Sequence, residues 1–573
     1  MPRFQLKTIY EASIPSLVGD LVDLSACGTP GEIRFIDCAQ VHKHDTLRIY
    51  ETNSLFPPSD HPYAAVTYVW RGYPERHPPA TPRPTFNVAG GESGEGISTA
   101  VLAHACAAAL AHGARLLWLD RLCIMQRNND DKAWQIQQMH AVYARAALAL
   151  VLPAGVGRLA PLDEPTPWIH RAWTLQELLA PPRALVLFKW RHGSGTFRGA
   201  TPGRITEVVP RRAAVIDATD VLELSVGDGG RMVFSPTDGK FGERVEVRVR
   251  VFGGHTSPQV WATMGALRLK GSESAESAVW RAAFTRTSSR PVDMILSIMG
   301  LFDVSLNPRD FHKNDRVGAT IMLAKKILEK GGRASWIGVS FHLPPSTSLS
   351  SFPAFPESNV SGTATVVVDG AKREVSEVMD GKYMSQWWLR DAPRGAIDRD
   401  GYLVITARAV AATLTDKSGS AKPGVANTSI ELRSNGETYS IKDLEGRKWL
   451  VDKRKPLSSK TRAMVVFVGT EGRMSSLATY KFSAETPVRA IAVQRHADGH
   501  WHRVASFFLG GVFRREIASW ETFEMAIGGP SDLTDAQLQM LRRGDFKGSL
   551  GSLVQNPGVD MVFAVRRKPV RSG

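Results

Sequence analysis

The sequence predicts an α/β protein in which one sheet domain is followed by an α+β extension and a β-rich C-terminal domain. Strand-like and helix-like segments alternate from Tyr63 to Trp190, as in a parallel sheet that helices cover on both faces. Leu116–Leu119 is an uninterrupted apolar run, which is typical of a strand buried on both sides. From about residue 360 to 515 the chain contains many short runs with β character, which predicts a separate β domain.

The α/β domain is assigned to residues 63–190, after an N-terminal extension of residues 1–62. Its strands are short and apolar, and segments with helical periodicity separate them. The predicted strands are Arg34–Ile36 and Leu47–Tyr50 in the extension, and Ala64–Val69, Leu116–Leu119, Ala147–Leu152 and Ala184–Phe188 in the domain.

Two helices of this domain are placed by their ends and their apolar spacing. Ile97–His112 is rich in alanine, starts at Ser98 or Thr99 and stops at Gly113, since a glycine often ends a helix. Lys132–Arg145 has apolar residues at helical spacing. Both helices connect strands that are predicted to be parallel.

The α+β extension is assigned to residues 191–342. Alternating strands are expected from about residue 200 to 255, with hairpin turns at Asp228-Gly229 and Asp238-Gly239. Helices are expected at Glu276–Phe284 and Asp315–Gly331.

The C-terminal part begins after Leu343–Glu357, a proline- and serine-rich linker. The β-rich domain is assigned to residues 358–520. Residues 521–573 are predicted to contain a late helix at Ser531–Arg543 and a basic tail.

Composition limits the class of protein. The chain has 573 residues, 43% of them hydrophobic and 22% charged, which is typical of a globular protein of several domains. The net charge of +15 is spread along the chain, so nucleic-acid binding is expected to be unlikely. The four cysteines show no CxxC spacing, which argues against structural zinc and a disulfide framework. We find neither a signal peptide nor an apolar run long enough to cross a membrane, so a cytoplasmic, or else nuclear, protein is expected.

One predicted helix places a tryptophan and a carboxylate side by side. It runs from Trp168 to about Ala180, with Thr166 as its N-cap and Pro181-Pro182 as its stop. Trp173 and Glu177 lie about 40° apart on a helical wheel, away from the apolar stripe. Glu177 is therefore predicted to be partly exposed, and Glu177→Ala should leave the fold intact. The alternative is a solvated carboxylate without function beside a tryptophan that packs on a neighbouring element.

Other candidate sites are weaker. The run RHADGHWH contains His496, His500 and His502, but a hairpin turn at Asp498-Gly499 explains it better than a metal site. Cys123 is expected to be a small buried residue rather than a nucleophile. The sequence has no P-loop, no Rossmann glycine fingerprint and no serine nucleophile elbow.

Several of these segments, taken in order, resemble the fungal heterokaryon-incompatibility (HET) domain. The chain reads YAAVTYVW, LLWLDRLCIMQ, RAWTLQELL and PRALVLF. The family pattern has Ser-Tyr-Cys-Trp, then Trp-Ile-Asp-x-Leu-Cys-Ile-x-Gln, then Arg-Gly-Trp-Thr-x-Gln-Glu. The resemblance covers residues 63–190, with a weaker echo at Arg290–Leu301. Three positions depart from the pattern: Val69 replaces Cys, Arg71 intervenes where Gly usually follows the tryptophan, and Ala172 replaces the Gly before Trp173.

HET domains are in turn similar to TIR domains, which have a flavodoxin-like sheet. Several TIR domains cleave NAD between nicotinamide and ribose with a glutamate in a Trp-x-x-x-Glu segment. The resemblance implies that Glu177 is the catalytic residue, with NAD as the substrate and no resident cofactor or metal. The residues that would border the substrate are Trp173, Tyr68, Trp70, Asp120 and Arg121. Of these, Trp173 could stack on a flat ring and Arg121 could pair with the pyrophosphate.

Two functions follow from this resemblance. In the first, the chain is a NAD-consuming effector of non-self recognition and programmed cell death. In the second, the HET domain is catalytically silent and signals by homotypic association or through other proteins of the pathway. An open crevice at Glu177 with Trp173 beside it favours the enzyme, whereas a buried or salt-bridged Glu177 favours the interaction module.

Overall fold

The computed structural model describes residues 5–52, 61–75, 78–227, 229–237, 244–340, 342–359, 362–368, 370–379, 387–416, 431–432, 437–475, 479–481, 487–497, 499–511 and 513–529. Contacts divide the chain into two compact units. Unit 1 comprises residues 1–344, 353–397 and 469–486, and unit 2 comprises residues 345–352, 398–468 and 487–573.

Unit 1 contains a large mixed sheet with helices on it, and further strands outside that sheet. Its strands are β1 Leu6–Ser13, β2 Leu21–Val22, β3 Arg34–Asp37, β4 Thr46–Thr52, β5 Tyr63–Tyr68, β6 Thr85–Val88, β7 Ile97–Ser98, β8 Leu116–Trp118, β9 Leu148–Leu152, β10 Ala184–Lys189, β11 Gly195–Arg198, β12 Gly203–Val209, β13 Ala213–Asp217, β14 Arg231–Pro236, β15 Val245–Arg248, β16 Thr365–Val368, β17 Ala371–Glu374, β18 Trp387–Arg390 and β19 Gly395–Ile397.

The helices of unit 1 are mostly short. They are α1 Ile14–Leu17, α2 Cys38–His44, α3 Thr99–Ala111, α4 Asp120–Cys123, α5 Asn129–Arg145, α6 Thr174–Leu179, α7 Ala218–Val226, α8 Pro258–Arg268, α9 Ala275–Phe284, α10 Asp293–Leu296, α11 Arg316–Glu329 and α12 Val375–Val378. Turns of 3₁₀ helix lie at Trp168–His170, Met299–Phe302, Pro308–Asp310 and Ser335–Gly338.

The centre of the sheet is parallel and its flanks are antiparallel. The strand order is β1-β4-β3-β8-β5-β9-β10-β13-β12-β11-β14-β15. β8, β5, β9 and β10 run parallel to one another, and in chain order they form the sequence 2-1-3-4. The parallel sheet predicted for residues 63–190 is therefore confirmed for these four strands, and the antiparallel flanks come from strands outside that range.

Helices cover both faces of these parallel strands. Val66 faces α3, where Val101, Leu102 and Ala105 line the contact. The next residue, Thr67, points to the opposite face and bonds to α6, because side chains alternate along a strand. The predicted helices at 97–112 and 132–145 are confirmed as α3 and α5.

The strands of the N-terminal residues lie in the same sheet as the α/β domain. β3 pairs with β8 through Ile36 and Asp37, and β4 and β1 follow outward. The strands predicted at 34–36 and 47–50 are confirmed as β3 and β4. The predicted domain boundaries themselves stay predictions.

The region from residue 200 to 255 is not made of strands alone. Ala218–Val226 forms α7, because Asp217 caps it through Thr219 N and its apolar residues pack at helical spacing. The hairpin predicted at Asp228-Gly229 is wrong, because a helix and not a strand precedes β14. Residue 228 itself lies outside the described part of the chain. β14 and β15 are antiparallel neighbours, and the predicted turn at Asp238-Gly239 between them lies outside the described residues.

Two predicted helices further along the chain are confirmed. α9 covers the prediction at Glu276–Phe284, and α11 covers the one at Asp315–Gly331, with Asp315 as its N-cap. Within the described residues, no helix is both long and apolar enough to span a membrane.

Unit 2 is rich in β structure. Its strands are β20 Leu403–Asp416, β21 Glu431–Leu432, β22 Thr438–Lys442, β23 Lys448–Asp452, the first part of β24 Ala463–Ser475, β26 Val488–Ala497, β27 His500–Leu509 and β28 Glu521–Ile527, and the one helix described there is α13 Phe513–Ala518. The rest of β24, from residue 469, and β25 Thr479–Lys481 belong to unit 1. β26 and β27 form a long antiparallel hairpin. Trp449, Phe507 and Trp520 are at the centre of its core. The helix predicted at Ser531–Arg543 lies outside the described residues.

Candidate functional site

The carboxyl ends of the parallel strands bring several of the predicted residues to one edge of the sheet. Tyr68 is the last residue of β5, and Asp120 follows β8. β5 and β8 are adjacent and parallel, so their carboxyl ends lie side by side. Ligands of open α/β sheets bind at this edge.

Tyr68, Asp120 and Arg121 form one connected group. The Tyr68 hydroxyl donates to Asp120 Oδ1 at 2.6 Å, and the backbone N–H of Arg121 donates to the same oxygen at 2.6 Å. Burial raises the pKa of Asp120, and the hydrogen bonds from Tyr68 and Arg121 oppose the rise. Asp120 is thus held as an acceptor at the start of α4.

Arg121 is engaged by the chain itself. Its side chain is fully buried and donates to the carbonyl oxygens of Glu95 and Gly91. Its guanidinium lies 5.1 Å from the centre of the Trp70 ring, close enough for a cation–π contact. Trp70 in turn donates from Nε1 to Ser93 Oγ at 3.3 Å. Two of the residues expected to border a substrate, Trp70 and Arg121, are therefore bonded to the segment from Gly90 to Gly96, here called the glycine segment.

Glu177 does not face solvent as predicted. It is only 9% exposed, and its Oε2 accepts a hydrogen bond of 2.5 Å from Thr67 Oγ1 on β5. Thr67 Oγ1 itself accepts from Trp168 Nε1 at 3.0 Å. The indole, the hydroxyl and the carboxyl thus form a buried chain of hydrogen bonds. The prediction of a partly exposed carboxylate is wrong because α6 packs directly on β5 through this chain.

Burial also changes the charge of Glu177. Removal from water raises its pKa from 4.5 to about 8, with the charge of Asp120 adding to the rise. The Thr67 hydrogen bond and the positive charges of Arg171 and Arg286 act in the opposite direction. Because the pKa lies above 7, the carboxyl group is mainly protonated at neutral pH.

Trp173 is bound to a different partner from the one predicted. It lies just before α6, and its side chain donates a hydrogen bond to Asp293. Asp293 begins α10, inside the Arg290–Leu301 segment that echoes the family pattern. Burial raises the pKa of Asp293, and the Trp173 bond opposes the rise.

The predicted continuous helix from Trp168 to Ala180 is broken in the middle. A 3₁₀ turn covers Trp168–His170 and α6 starts only at Thr174. Between them Ala172 N donates to Thr287 O at 2.9 Å, and Thr287 N donates to His170 O at 2.7 Å. These residues pair like a short strand with a segment more than 100 positions later, which local sequence does not reveal.

The predicted N-cap is also used differently. Thr166 Oγ1 donates to Val251 O at 2.7 Å, so it ties this loop to a later one instead of capping a helix. Thr174 Oγ1 donates to the carbonyl oxygen of Trp168 at 2.9 Å and thereby closes the break.

The buried side chain of Arg286 also stabilises the break, through hydrogen bonds to residues on both sides of it. It is fully buried and donates to Arg171 O at 3.0 Å, Thr174 Oγ1 at 2.7 Å and Thr263 Oγ1 at 2.9 Å. Burial lowers its pKa, and the nearby Glu177 opposes that effect. His170 is neutral at pH 7, because burial lowers its pKa to about 4.

Sequence reasoning missed Glu95, which occupies the centre of the edge. The loops after β5 and β9 converge on its carboxylate, and Gly157 N donates to its Oε2 at 2.9 Å. A Cβ atom at Gly72, Gly155 or Gly157 would overlap the carboxyl group. The signal in the sequence is the run GESGEG, in which Gly94 and Gly96 flank Glu95 on both sides.

The predicted site residues therefore fall into two groups. Tyr68, Trp70, Asp120 and Arg121 contact one another at the edge of the sheet. Glu177 on α6 is bonded to Thr67 of β5, and the charge of Asp120 links it to the first group. Trp173 does not present its indole nitrogen to either group, because Asp293 holds it.

The weaker candidates of the sequence were Cys123 and the histidines of the RHADGHWH run. Cys123 is fully buried, and burial raises the pKa of its thiol to about 12. His500 and His502 lie on β27 and His496 on β26, which are the two strands of a hairpin. Within the described part of the chain, no group of three or more His, Cys, Asp or Glu side chains could hold a metal ion.

Comparison with known proteins gives one match. Residues 63–159 match the family model described as "Heterokaryon incompatibility protein (HET)". The match includes β5, β8 and β9 with Tyr68, Asp120 and Glu95, and it ends before α6 and Glu177. Searches of curated proteins and of solved structures found no match.

Proposed function

We propose that this chain, whose residues 63–159 are a heterokaryon-incompatibility domain, acts in fungal non-self recognition and programmed cell death as an interaction module. It signals by association with further copies of itself or with other proteins of the same pathway, and this conformation of its HET region is catalytically silent. The family match supports the incompatibility-type role.

The burial of Glu177 is the observation that carries the silent role. Catalysis requires the carboxylate to contact a substrate, but Glu177 is 9% exposed and bonded to Thr67. Trp173, the residue proposed to stack on a substrate ring, is bonded to Asp293. Both partners belong to this chain, so the pair forms part of the packing between α6, β5 and α10.

The charge state of Glu177 supports the same conclusion. Loss of nicotinamide from NAD leaves positive charge on the ribose, and an ionised carboxylate would stabilise it. With a pKa of about 8, the Glu177 carboxyl is mainly neutral at pH 7 and supplies little of that stabilisation.

Self-association can be tested with two differently tagged copies of the full chain in one heterologous host. We expect each tag to co-precipitate the other in dying cells, and Glu177→Gln, which keeps the acceptor for Thr67, to behave as wild type. A chain that kills cells without co-precipitating a second copy or another protein of the pathway would contradict the proposal.

Cleavage of NAD is the second candidate function, and two observations favour it. The parallel strands follow the order 2-1-3-4, which is that of flavodoxin-like sheets such as the TIR fold. Glu177 and Asp120 are close enough to raise the pKa of Glu177, and paired carboxyls with different protonation states are typical of acid–base sites. In NAD the leaving nicotinamide is already cationic, so one carboxylate suffices once a rearrangement exposes it.

The purified full chain distinguishes the two candidates. It is incubated with NAD alone and after concentration to drive assembly, and nicotinamide release is followed by chromatography. The interaction module predicts no release under either condition. Release by wild type that Glu177→Gln abolishes would establish the enzyme and refute the silent role.

A further inference from the structure

The carboxylate of Glu95 sits where the parallel sheet offers a ligand crevice. In the order 2-1-3-4, connections leave the first and third parallel strands, β5 and β9, in opposite directions across the sheet. The crevice of an α/β sheet opens at the carboxyl ends of two such strands. The loop after β5 holds Gly72 and the loop after β9 holds Gly155 and Gly157, and these three glycines enclose the Glu95 carboxyl group.

The walls of this crevice beside the Glu95 carboxylate are formed by the backbone of glycines, which carry no side chain. Gly72 and Gly155 have φ values of +69° and +111°, which favour glycine. Gly157 has no such constraint, yet it too approaches the carboxylate closely and donates its N–H to Oε2 at 2.9 Å. Glycines that let backbone N–H groups approach an anion are typical of phosphate-binding loops.

Three arginines lie near the crevice. Arg158, Arg121 and Arg83 all act on Glu95 through their charges, against the effect of burial, which raises its pKa. Arg158 is paired with Glu164 and Arg83 with Glu75. Arg121 forms no ion pair with any residue in the described ranges, and its buried Nε has no hydrogen-bond partner among them. Of these three arginines, Arg121 alone has no carboxylate partner in those ranges, and its hydrogen bonds go to the carbonyl oxygens of Gly91 and Glu95 in the glycine segment.

The glycine segment, residues 90–96, supplies the acceptors to which the hydrogen-bond donors at this crevice are bonded. The carbonyl oxygens of Gly91 and Glu95 accept from Arg121, Ser93 accepts from Trp70, and the Glu95 carboxylate accepts from Gly157. An anionic ligand in the crevice would accept hydrogen bonds from these same donors, namely Arg121, Trp70 and Gly157 N.

We propose that the glycine-lined crevice between the ends of β5 and β9 is a binding site for a phosphate or diphosphate group, and that Glu95 is its internal occupant. The Glu95 carboxylate takes the position of the ligand anion, and the glycine segment must move for a ligand to enter. The inference does not depend on catalysis by Glu177.

The test measures binding of inorganic pyrophosphate to the purified full chain by titration calorimetry in metal-free buffer. Glu95→Ala removes the occupant and is expected to bind pyrophosphate at least ten-fold more tightly than wild type. Glu92→Ala is the matched control, because it removes the same charge from the same segment at a side chain that is 51% exposed. It is expected to bind as wild type does.

A second change locates the site. In Glu95→Ala the space beside Gly157 is free, so Gly157→Ala added to it places a methyl group where the carboxylate was. The double variant is expected to lose the gained affinity.

If Glu95→Ala does not fold, Glu95→Gln, which keeps an acceptor for Gly157, is expected to bind several-fold more tightly than wild type. Folded variants that bind no better than wild type, an equal gain in Glu92→Ala, or full binding by the double variant would each overturn the proposal.

Discussion

Glu177 shows how burial decides the role of a single side chain. On a helical wheel it lies beside Trp173 and away from the apolar stripe, yet β5 covers it and supplies Thr67 as its partner. Its pKa of about 8 means that the folded chain holds a proton which the unfolded chain releases near pH 4.5. Ionising Glu177 in the folded state therefore costs stability.

This difference predicts how stability depends on pH. The Glu177 contribution is fully present below about pH 4.5 and is lost as the pH rises through about 8, because the folded state binds the proton more tightly. The loss is about 1.4 kcal/mol for each pH unit between the two pKa values. Glu177→Gln has no proton to release, so its stability relative to wild type should rise between pH 5 and pH 8.

Urea unfolding at several pH values checks this prediction. Glu246→Gln is the matched control, since its side chain is 60% exposed, and it should follow wild type at every pH. A constant difference between wild type and Glu177→Gln across the range would show that Glu177 does not titrate there.

Thr67 is the second residue-scale test. Its hydroxyl accepts from Trp168 and donates to Glu177, so Thr67→Val leaves two buried polar groups without a partner. We expect a loss of about 1–3 kcal/mol per group left unpaired. Thr67→Ser keeps the hydroxyl and should lose much less, and equal unfolding midpoints for the two variants would refute this role.

At the scale of elements, the sequence predicts what local signals control. α3 begins at its Ser98 cap and ends before Gly113, whose φ is +83°, and both signals are visible in the sequence. The break at residues 171–173 is not, because Thr287 imposes it from a distant segment. The same reason hides Glu95, whose surroundings come from three separate loops.

The break itself makes a prediction. Ala172→Pro removes the N–H that bonds to Thr287 O, while Arg171, with φ −83° and ψ 136°, already has the extended backbone that precedes proline readily. We expect a loss of about 1–3 kcal/mol, measured by urea unfolding. Ala172→Gly keeps the N–H and is the control, so an equal loss in both variants would mean that the bridge does not hold the break.

At the scale of the whole molecule, the match of residues 63–159 to the HET family model favours an incompatibility-type protein, and the internal contacts of Glu177 and Trp173 support our proposal of signalling by association. The sequence alone left the enzyme and the interaction module open, because exposure of Glu177 depends on how α6 packs on β5. In the described conformation, every residue predicted to bind substrate through a polar or charged group already has an internal partner.

The most direct measurement is the cellular NAD content after wild type and Glu177→Gln are induced in a heterologous host. The interaction module predicts that cells die with both proteins while NAD stays at the level of uninduced cells. A fall in NAD with wild type, absent with Glu177→Gln, would contradict it and make Glu177 the catalytic residue of a NAD-cleaving effector.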